Sequence, residues 1–140
     1  EVTFNDGLQK IGEGAFYYCS SLENIKLPST VTEIGDSLFW ECSNLREVTL
    51  KEGLQKIEDD AFCYCTLLKS ITLPSTVTEF GYSAFYGCSN LREITLNDGL
   101  LKIGDGAFQY CTSIESITLP STLVDIGHTA FYGCSNLREV

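Results

Sequence analysis

Phenylalanine and cysteine return along this chain at a fixed interval of 23 residues. Phe16, Phe39, Phe62, Phe85, Phe108 and Phe131 keep that interval, and so do Cys19, Cys42, Cys65, Cys88, Cys111 and Cys134. A period of this length marks a solenoid, in which each repeat is one supersecondary unit stacked on the next. The 140 residues make six periods with two residues over. Residues 1–140 therefore read as a single array of six 23-residue repeats rather than a conventional compact domain. Glu139-Val140 falls in the phase of Glu1-Val2, so the array reads as an excerpt of a longer one.

Within one unit, Ile25 and Leu27 stand two apart and point to one face of a strand. Pro28-Ser29-Thr30 follows as a turn, with proline suited to the second turn position. Val31 and Ile34 come next, Gly35 breaks the run, and Leu38-Phe39 lead to Cys42. A helical reading competes, because Leu8, Ile11, Ala15, Cys19 and Leu22 approximate a 3.6-residue period. Gly12 and Gly14 interrupt it, each at a cost of ~1 kcal/mol in a helix. The expectation is thus one short helical or 3₁₀ turn from Ala15 to about Cys19. Ser37, Asp60, Ser83 and Thr129, with Gly14 and Gly106, would cap it. Units alternate in pairs: Pro28, Pro74 and Pro120 occur in Leu-Pro-Ser-Thr, whereas the intervening units have Asn5-Asp6-Gly7, Lys51-Glu52-Gly53 and Asn97-Asp98-Gly99. Proline presets φ and glycine permits a positive one, so one turn has two chemical solutions.

Leu22, Ile25 and Leu27 fit the strand half of a leucine-rich repeat. The second half, Ile103-Gly104-Asp105-Gly106-Ala107-Phe108-Gln109-Tyr110-Cys111, resembles the BspA-type, or treponemal, leucine-rich-repeat family, and the resemblance covers the whole chain. It implies an α/β fold: a right-handed, gently curved solenoid with a parallel sheet on the concave face and short helical or 3₁₀ turns on the convex side. It also implies adhesion or matrix binding at a cell surface, hence an extracellular or cell-surface location. Commoner leucine-rich repeats place asparagine after the strand. Here Thr30, Gly53, Thr76, Gly99 and Thr122 occupy that region, so no asparagine ladder is expected there.

Nearly every polar residue has counterparts in other repeats, whereas catalysis needs a unique constellation of acid, base or nucleophile. The hydroxyls Ser20, Ser43, Thr66, Ser89, Thr112 and Ser135 follow the ladder cysteines and read as backbone partners. His128 shares its column with Glu13, Asp36, Asp59, Tyr82 and Asp105, which suggests an exposed turn. The cysteines read as a buried thiol ladder behaving as small apolar residues. Cys63 lies outside that column, and Cys63-Tyr64-Cys65 lacks the second pair that a zinc site needs. Glu58-Asp59-Asp60 reads as a solvated acidic turn rather than a calcium site. Neither metal nor cofactor is expected. The net charge of −10, from 19 acidic and 9 basic residues, argues against nucleic acid and anionic membranes as partners. No apolar run reaches the ~20 residues of a membrane span.

Two surfaces remain for recognition of a protein ligand. On the strand face stand Thr49, Thr72, Thr95 and Thr118 beside Glu47 and Glu93, with Arg46, Lys69 and Arg92 where the strands begin. The alternative for this face is a solvated sheet held by cross-rung Arg–Glu pairs. On the turn side stand Tyr17, Trp40, Tyr86 and Tyr132, residue types that dominate binding hot spots and also stack well between repeats. The functional expectation is a non-enzymatic protein–protein interaction module. A structural spacer that associates end to end is the alternative.

Overall fold

The computed structural model describes residues 2–140. Each repeat makes one rung of a parallel β-solenoid. Successive rungs lie so close that Phe16, Phe39, Phe62, Phe85, Phe108 and Phe131 stack face to face, with centroids 5.2–5.6 Å apart and ring planes within 17°. This column is the axis of a core filled by Ile25, Leu27, Ile34, Leu45, Leu68, Leu91 and their equivalents. Phe80 packs edge-on against Phe85 and Phe108 at 5.4 and 5.7 Å, filling an Ile-sized position with a ring.

Nine short strands form among the described residues. On one face lie β1 (Asn24–Lys26), β3 (Glu47–Thr49), β5 (Ser70–Thr72) and β7 (Glu93–Thr95). On the next lie β2 (Glu33–Ile34), β4 (Lys56–Ile57), β6 (Glu79–Phe80), β8 (Lys102–Ile103) and β9 (Asp125–Ile126). The second set is one continuous parallel sheet, ordered β2-β4-β6-β8-β9. Its inward residues Ile34, Ile57, Phe80 and Ile103 are buried. Its outward residues alternate in sign from Glu33 through Lys56, Glu79 and Lys102 to Asp125, and Lys56 pairs with Glu79 at 3.2 Å and with Glu58 at 2.9 Å. Opposite charges on directly paired residues stabilise a ladder where like charges would repel. The Glu58 and Glu79 carboxylates hold the Lys56 ammonium above its ordinary pKa.

No helix forms among the described residues, which corrects the expected helical turns. From Gly12 to Cys19 the chain makes overlapping tight turns instead, closed by Ala15 N–H to Gly12 O, Tyr17 N–H to Gly14 O and Cys19 N–H to Phe16 O. The alternate N–H groups point to the next rung: Gly14 to Asp36 O, Phe16 to Leu38 O and Tyr18 to Trp40 O. Equivalent bonds recur through Tyr110 to Tyr132 O. A helix would have directed all of these donors along its own axis; here half of them knit neighbouring rungs. The residues expected as N-caps do other work. Gly14, Ser37, Asp60, Ser83, Gly106 and Thr129 have φ of 50–62°, whereas an N-cap lies in the β region. A second left-handed column, four residues later, runs through Tyr18, Glu41, Tyr64, Gly87, Tyr110 and Gly133.

The ladder thiols are free, and from Cys42 onward each donates S–H to a carbonyl of the preceding rung. Cys65 Sγ meets Phe39 O at 3.2 Å, Cys88 meets Phe62 O at 3.1 Å and Cys111 meets Phe85 O at 3.1 Å. Cys63 is also buried, apart from the ladder. Only Cys19 is partly exposed. A thiol reagent is therefore expected to modify Cys19 alone in the native protein and all seven cysteines after unfolding. Mass spectrometry of the alkylated protein reads this directly, and rapid native labelling of Cys88 or Cys111 would contradict the packing.

Candidate functional site

The strand face behaves unlike the other two. β1 pairs with β3, and β5 with β7, but no ladder joins β3 to β5. The open junction recurs every second rung, in phase with the alternation of turn types. Where a proline rung precedes a glycine rung, the junction is zipped: Leu27 N–H donates to Thr49 O, Leu73 N–H to Thr95 O, and Ile117 N–H to Glu139 O. Where a glycine rung precedes a proline rung, no backbone bond crosses the strand face among the described residues.

Parity explains the pattern. In a parallel strand the N–H and C=O of one residue point to the same side, and the next residue's point to the other. Leu27 and Leu73 point toward the following rung. Lys26 and Pro28, one position to either side of Leu27, therefore point toward the preceding rung, and so do Thr72 and Pro74 around Leu73. Proline has no N–H, so the edge that it ends cannot complete a ladder. On the zipped side the turns press together: a Cβ on Gly53 would lie 2.9 Å from Ser29 O, and Gly53 has φ of 107°. Only glycine fits that approach without strain.

Each open junction is a cleft. The first, about 750 Å³, runs from Val2–Phe4 to Asn24–Pro28. The second, about 520 Å³, lies between residues 47–52 and 70–74. The third, about 510 Å³, lies between Arg92–Leu96 and Ser116–Thr118, closed by Asp98 and Pro120. Val48, Leu50, Ile94 and Leu96 are half-buried here, while Ile25, Leu27, Ile71 and Leu73 of the proline rungs are buried.

Most of the strand-face residues expected from the sequence line these clefts. Glu47, Thr49 and Thr72 line the second; Arg92, Glu93, Thr95 and Thr118 line the third. Arg46 and Lys69 are exposed beside them and line neither, although the Lys69 carbonyl accepts the Arg92 N–H at 2.9 Å. The expected cross-rung Arg–Glu pairs are not formed: among the described residues every ion pair uses Lys56 or Lys102, on the continuous sheet. Arg46, Arg92 and Arg138 are thus exposed cations without a carboxylate partner among the described residues. Lys51, Glu52 and Asp98, at the turn ends of the clefts, are residues that sequence reasoning misses. Their signal is the alternation of proline and glycine turns that makes the clefts.

On the turn side Tyr17, Trp40, Tyr86 and Tyr132 join one stripe with Tyr64 and Tyr110, one ring per rung at 5.3–6.3 Å. From Trp40 onward the rings meet edge to face. The stripe zigzags because Tyr64 and Tyr110 sit one position later than their neighbours. Gly87 and Gly133 receive them: a Cβ there would meet the rings at 2.7 and 2.5 Å. Trp40 is only half exposed, and its indole N–H is buried without a hydrogen-bond partner among the described residues. The outer edges of Tyr17 and Tyr132 stay open, at 46% and 58% exposure.

The remaining chemical candidates brace the fold. Asp59 Oδ1 accepts the Tyr82 N–H at 2.7 Å and Asp105 Oδ1 accepts the His128 N–H at 2.9 Å, so the acidic column caps turns of the next rung. His128 itself is exposed. Of the hydroxyls after the cysteines, Thr66 and Thr112 donate to Ser43 O and Ser89 O at 3.4 and 3.3 Å. The asparagine role of commoner repeats is divided. Thr30, Thr76 and Thr122 donate to Leu8, Leu54 and Leu100 carbonyls after the strand, joined by Asn97 to Ser75 and Val77 carbonyls. Before the strand, Asn44, Asn90 and Asn136 bridge to Ser20, Thr66 and Thr112 carbonyls at 2.6–2.8 Å. No helix among the described residues is long and apolar enough to cross a membrane.

The sequence profile described as "BspA type Leucine rich repeat region" matches residues 1–113 and 55–140 in six copies. Solved structures agree. A leucine-rich-repeat protein of T. pallidum is 30% identical with a TM-score of 0.81, over 91% of this chain and 71% of that one. A leucine-rich cell surface protein of Faecalibacterium prausnitzii is 32% identical with a TM-score of 0.86, over 95% of this chain and 36% of that one. A leucine-rich-repeat protein of Eubacterium ventriosum is 27% identical with a TM-score of 0.87, again over 95% of this chain and 36% of that one. The chain thus spans about a third of the length of the last two. Among curated proteins none matches it.

Proposed function

The chain belongs to the BspA-type leucine-rich-repeat family, and from that premise we propose that it is a protein-recognition module that binds through its strand face and carries out no reaction. The observation that carries the reading is the strand face itself. It holds exposed arginines without carboxylate partners among the described residues, a column of threonines, and clefts repeated along the array. Such a surface recognises by several mild contacts on successive rungs, with the arginines steering the approach. The turn-side stripe is a weaker candidate, because its rings are mostly spent on one another and the Trp40 indole N–H is out of reach. The cell-surface description of the Faecalibacterium protein supports placing this module at a cell surface, with adhesion to host or matrix protein as its use.

Binding to a panel of extracellular-matrix proteins tests the reading. The Arg46→Glu/Arg92→Glu variant is expected to lose at least tenfold in affinity, while Trp40→Ala keeps wild-type binding. Loss confined to Trp40→Ala would move recognition to the turn side. Self-association with no partner in the panel would favour a structural spacer instead.

A further inference from the structure

We propose that the second and third clefts take an extended, proline-free, lysine-bearing segment of the partner as an added β-strand. The proposal rests on the strand-face reading and names what that face holds. The residues whose main chain points into the second cleft follow from parity: Val48 and Leu50 on one edge, Ser70 and Thr72 on the other. In the third they are Ile94 and Leu96 facing Ser116 and Thr118. None of these groups makes a backbone bond across its junction among the described residues. Buried or half-buried main-chain donors and acceptors are rarely left without partners. An extended peptide supplies both kinds in alternation, which is how strand addition gains affinity without depending on side-chain sequence.

Spacing sets what insertion requires. Cα atoms across the β3–β5 junction come within 8 Å of one another. A ladder needs about 4.8 Å and room for a third strand about 9.6 Å, so the junction must widen by at least roughly 2 Å. No ladder at the open junctions has to break, since none is formed there; at the second, only the turn end is spanned, where Ser75 donates its N–H and hydroxyl to the Glu52 carboxylate at 3.2 and 2.9 Å. The continuous sheet and the turn-side ladder keep the rungs joined while the strand face opens. At the zipped junctions the same insertion would first have to strip the Leu27–Thr49 and Leu73–Thr95 bonds. Charge selects the occupant further. The second cleft sets Glu47 and Glu52 against Lys51, and the third sets Glu93 and Asp98 against Arg92. Each has one carboxylate in excess, on a chain whose net charge is −10, which suits lysines lying over the clefts. Arg46 and Arg92, where the strands begin, take carboxylates that flank the inserted segment.

The test uses a blocked Lys-Thr-Val-Thr-Val-Lys peptide and a twin N-methylated at alternate residues, which keeps the side chains and loses main-chain donors. With the unmodified peptide, amide exchange at Val48, Leu50, Thr72, Ile94 and Leu96 is expected to slow at least tenfold, and the twin leaves it unchanged. Pro74→Ala restores an N–H to the edge facing Leu50 and is expected to zip the second cleft. Val48 and Leu50 then become protected without peptide, and peptide no longer changes them. Equal binding of the twin, or undiminished capture in the second cleft by Pro74→Ala, would overturn strand addition. Failure of the peptide to bind would overturn it too. If Arg46→Glu/Arg92→Glu still abolishes partner binding in that case, the strand face stands as a side-chain surface; if it does not, the strand-face reading falls as well.

Discussion

Phe85→Ala is expected to cost about 3–5 kcal/mol of folding stability, the range for deleting a buried aromatic ring. Phe85 is fully buried, stacked on Phe62 at 5.2 Å and on Phe108 at 5.3 Å with planes 5° apart, and met edge-on by Phe80. Its loss opens a cavity at the centre of the stack, where the ladders on either side hold the rungs too firmly to collapse inward. A domain of this size has about 5–15 kcal/mol in total, so most of the margin goes. In a repeat array the damage also weakens the interface between neighbouring units and invites the two halves to unfold separately. Tyr82→Ala, at a residue 57% exposed, is the matched control and should change stability by no more than about 0.5 kcal/mol. Urea denaturation of both variants decides the matter: a cost below about 1 kcal/mol for Phe85→Ala would mean that the ring column is not the core's axis.

The second large effect is alkaline lability. Burial pushes the Cys42 and Cys63 thiols up to about 12 from an ordinary value of 9.0, and raises Cys65, Cys88 and Cys111 well above it. The folded state therefore prefers the protonated thiols more than the unfolded chain does. Their contribution is complete below the unfolded pKa and is lost as the pH rises from about 9 toward the folded values, because the unfolded chain then releases protons that the folded chain must keep. Urea midpoints are expected to fall steeply above about pH 9. Cys88→Ala should be less stable at neutral pH, having lost its bond to Phe62 O, yet decline more gently in alkali. A wild-type midpoint that holds steady as the thiols' unfolded pKa is passed would contradict the buried ladder.

What the sequence discloses here is whatever repeats in side-chain identity. The Phe16 and Cys19 columns, the Ile25/Leu27 alternation and the Pro28/Gly53 switch of turns all follow from residue type at a fixed spacing. The turn after Gly12 misleads because Ser37, Asp60, Ser83 and Thr129 belong to residue types that suit an N-cap, and the backbone that they adopt is left-handed. Tyr18, Glu41, Tyr64 and Tyr110 share that conformation without any side-chain signal for it. They are held by inter-rung bonds, which a local pattern does not reveal. The two-residue strands of the continuous sheet are similarly too short for periodicity to detect. The clefts are nearer to hand: proline at 28, 74 and 120 always falls on the parity that faces the preceding rung, so the open edge is encoded in the superperiod of 46.

Amide exchange on the free protein tests most directly whether this face alternates between zipped and open rungs. Leu27 and Leu73 donate across zipped junctions, and Gln55, Thr78 and Leu101 donate within the continuous sheet. These amides are predicted to exchange slowly, while Val48, Leu50, Thr72, Ile94 and Leu96 exchange faster by orders of magnitude. Uniform protection along the strand face would mean a closed sheet without clefts, and would contradict both the site and the mode of recognition drawn from it.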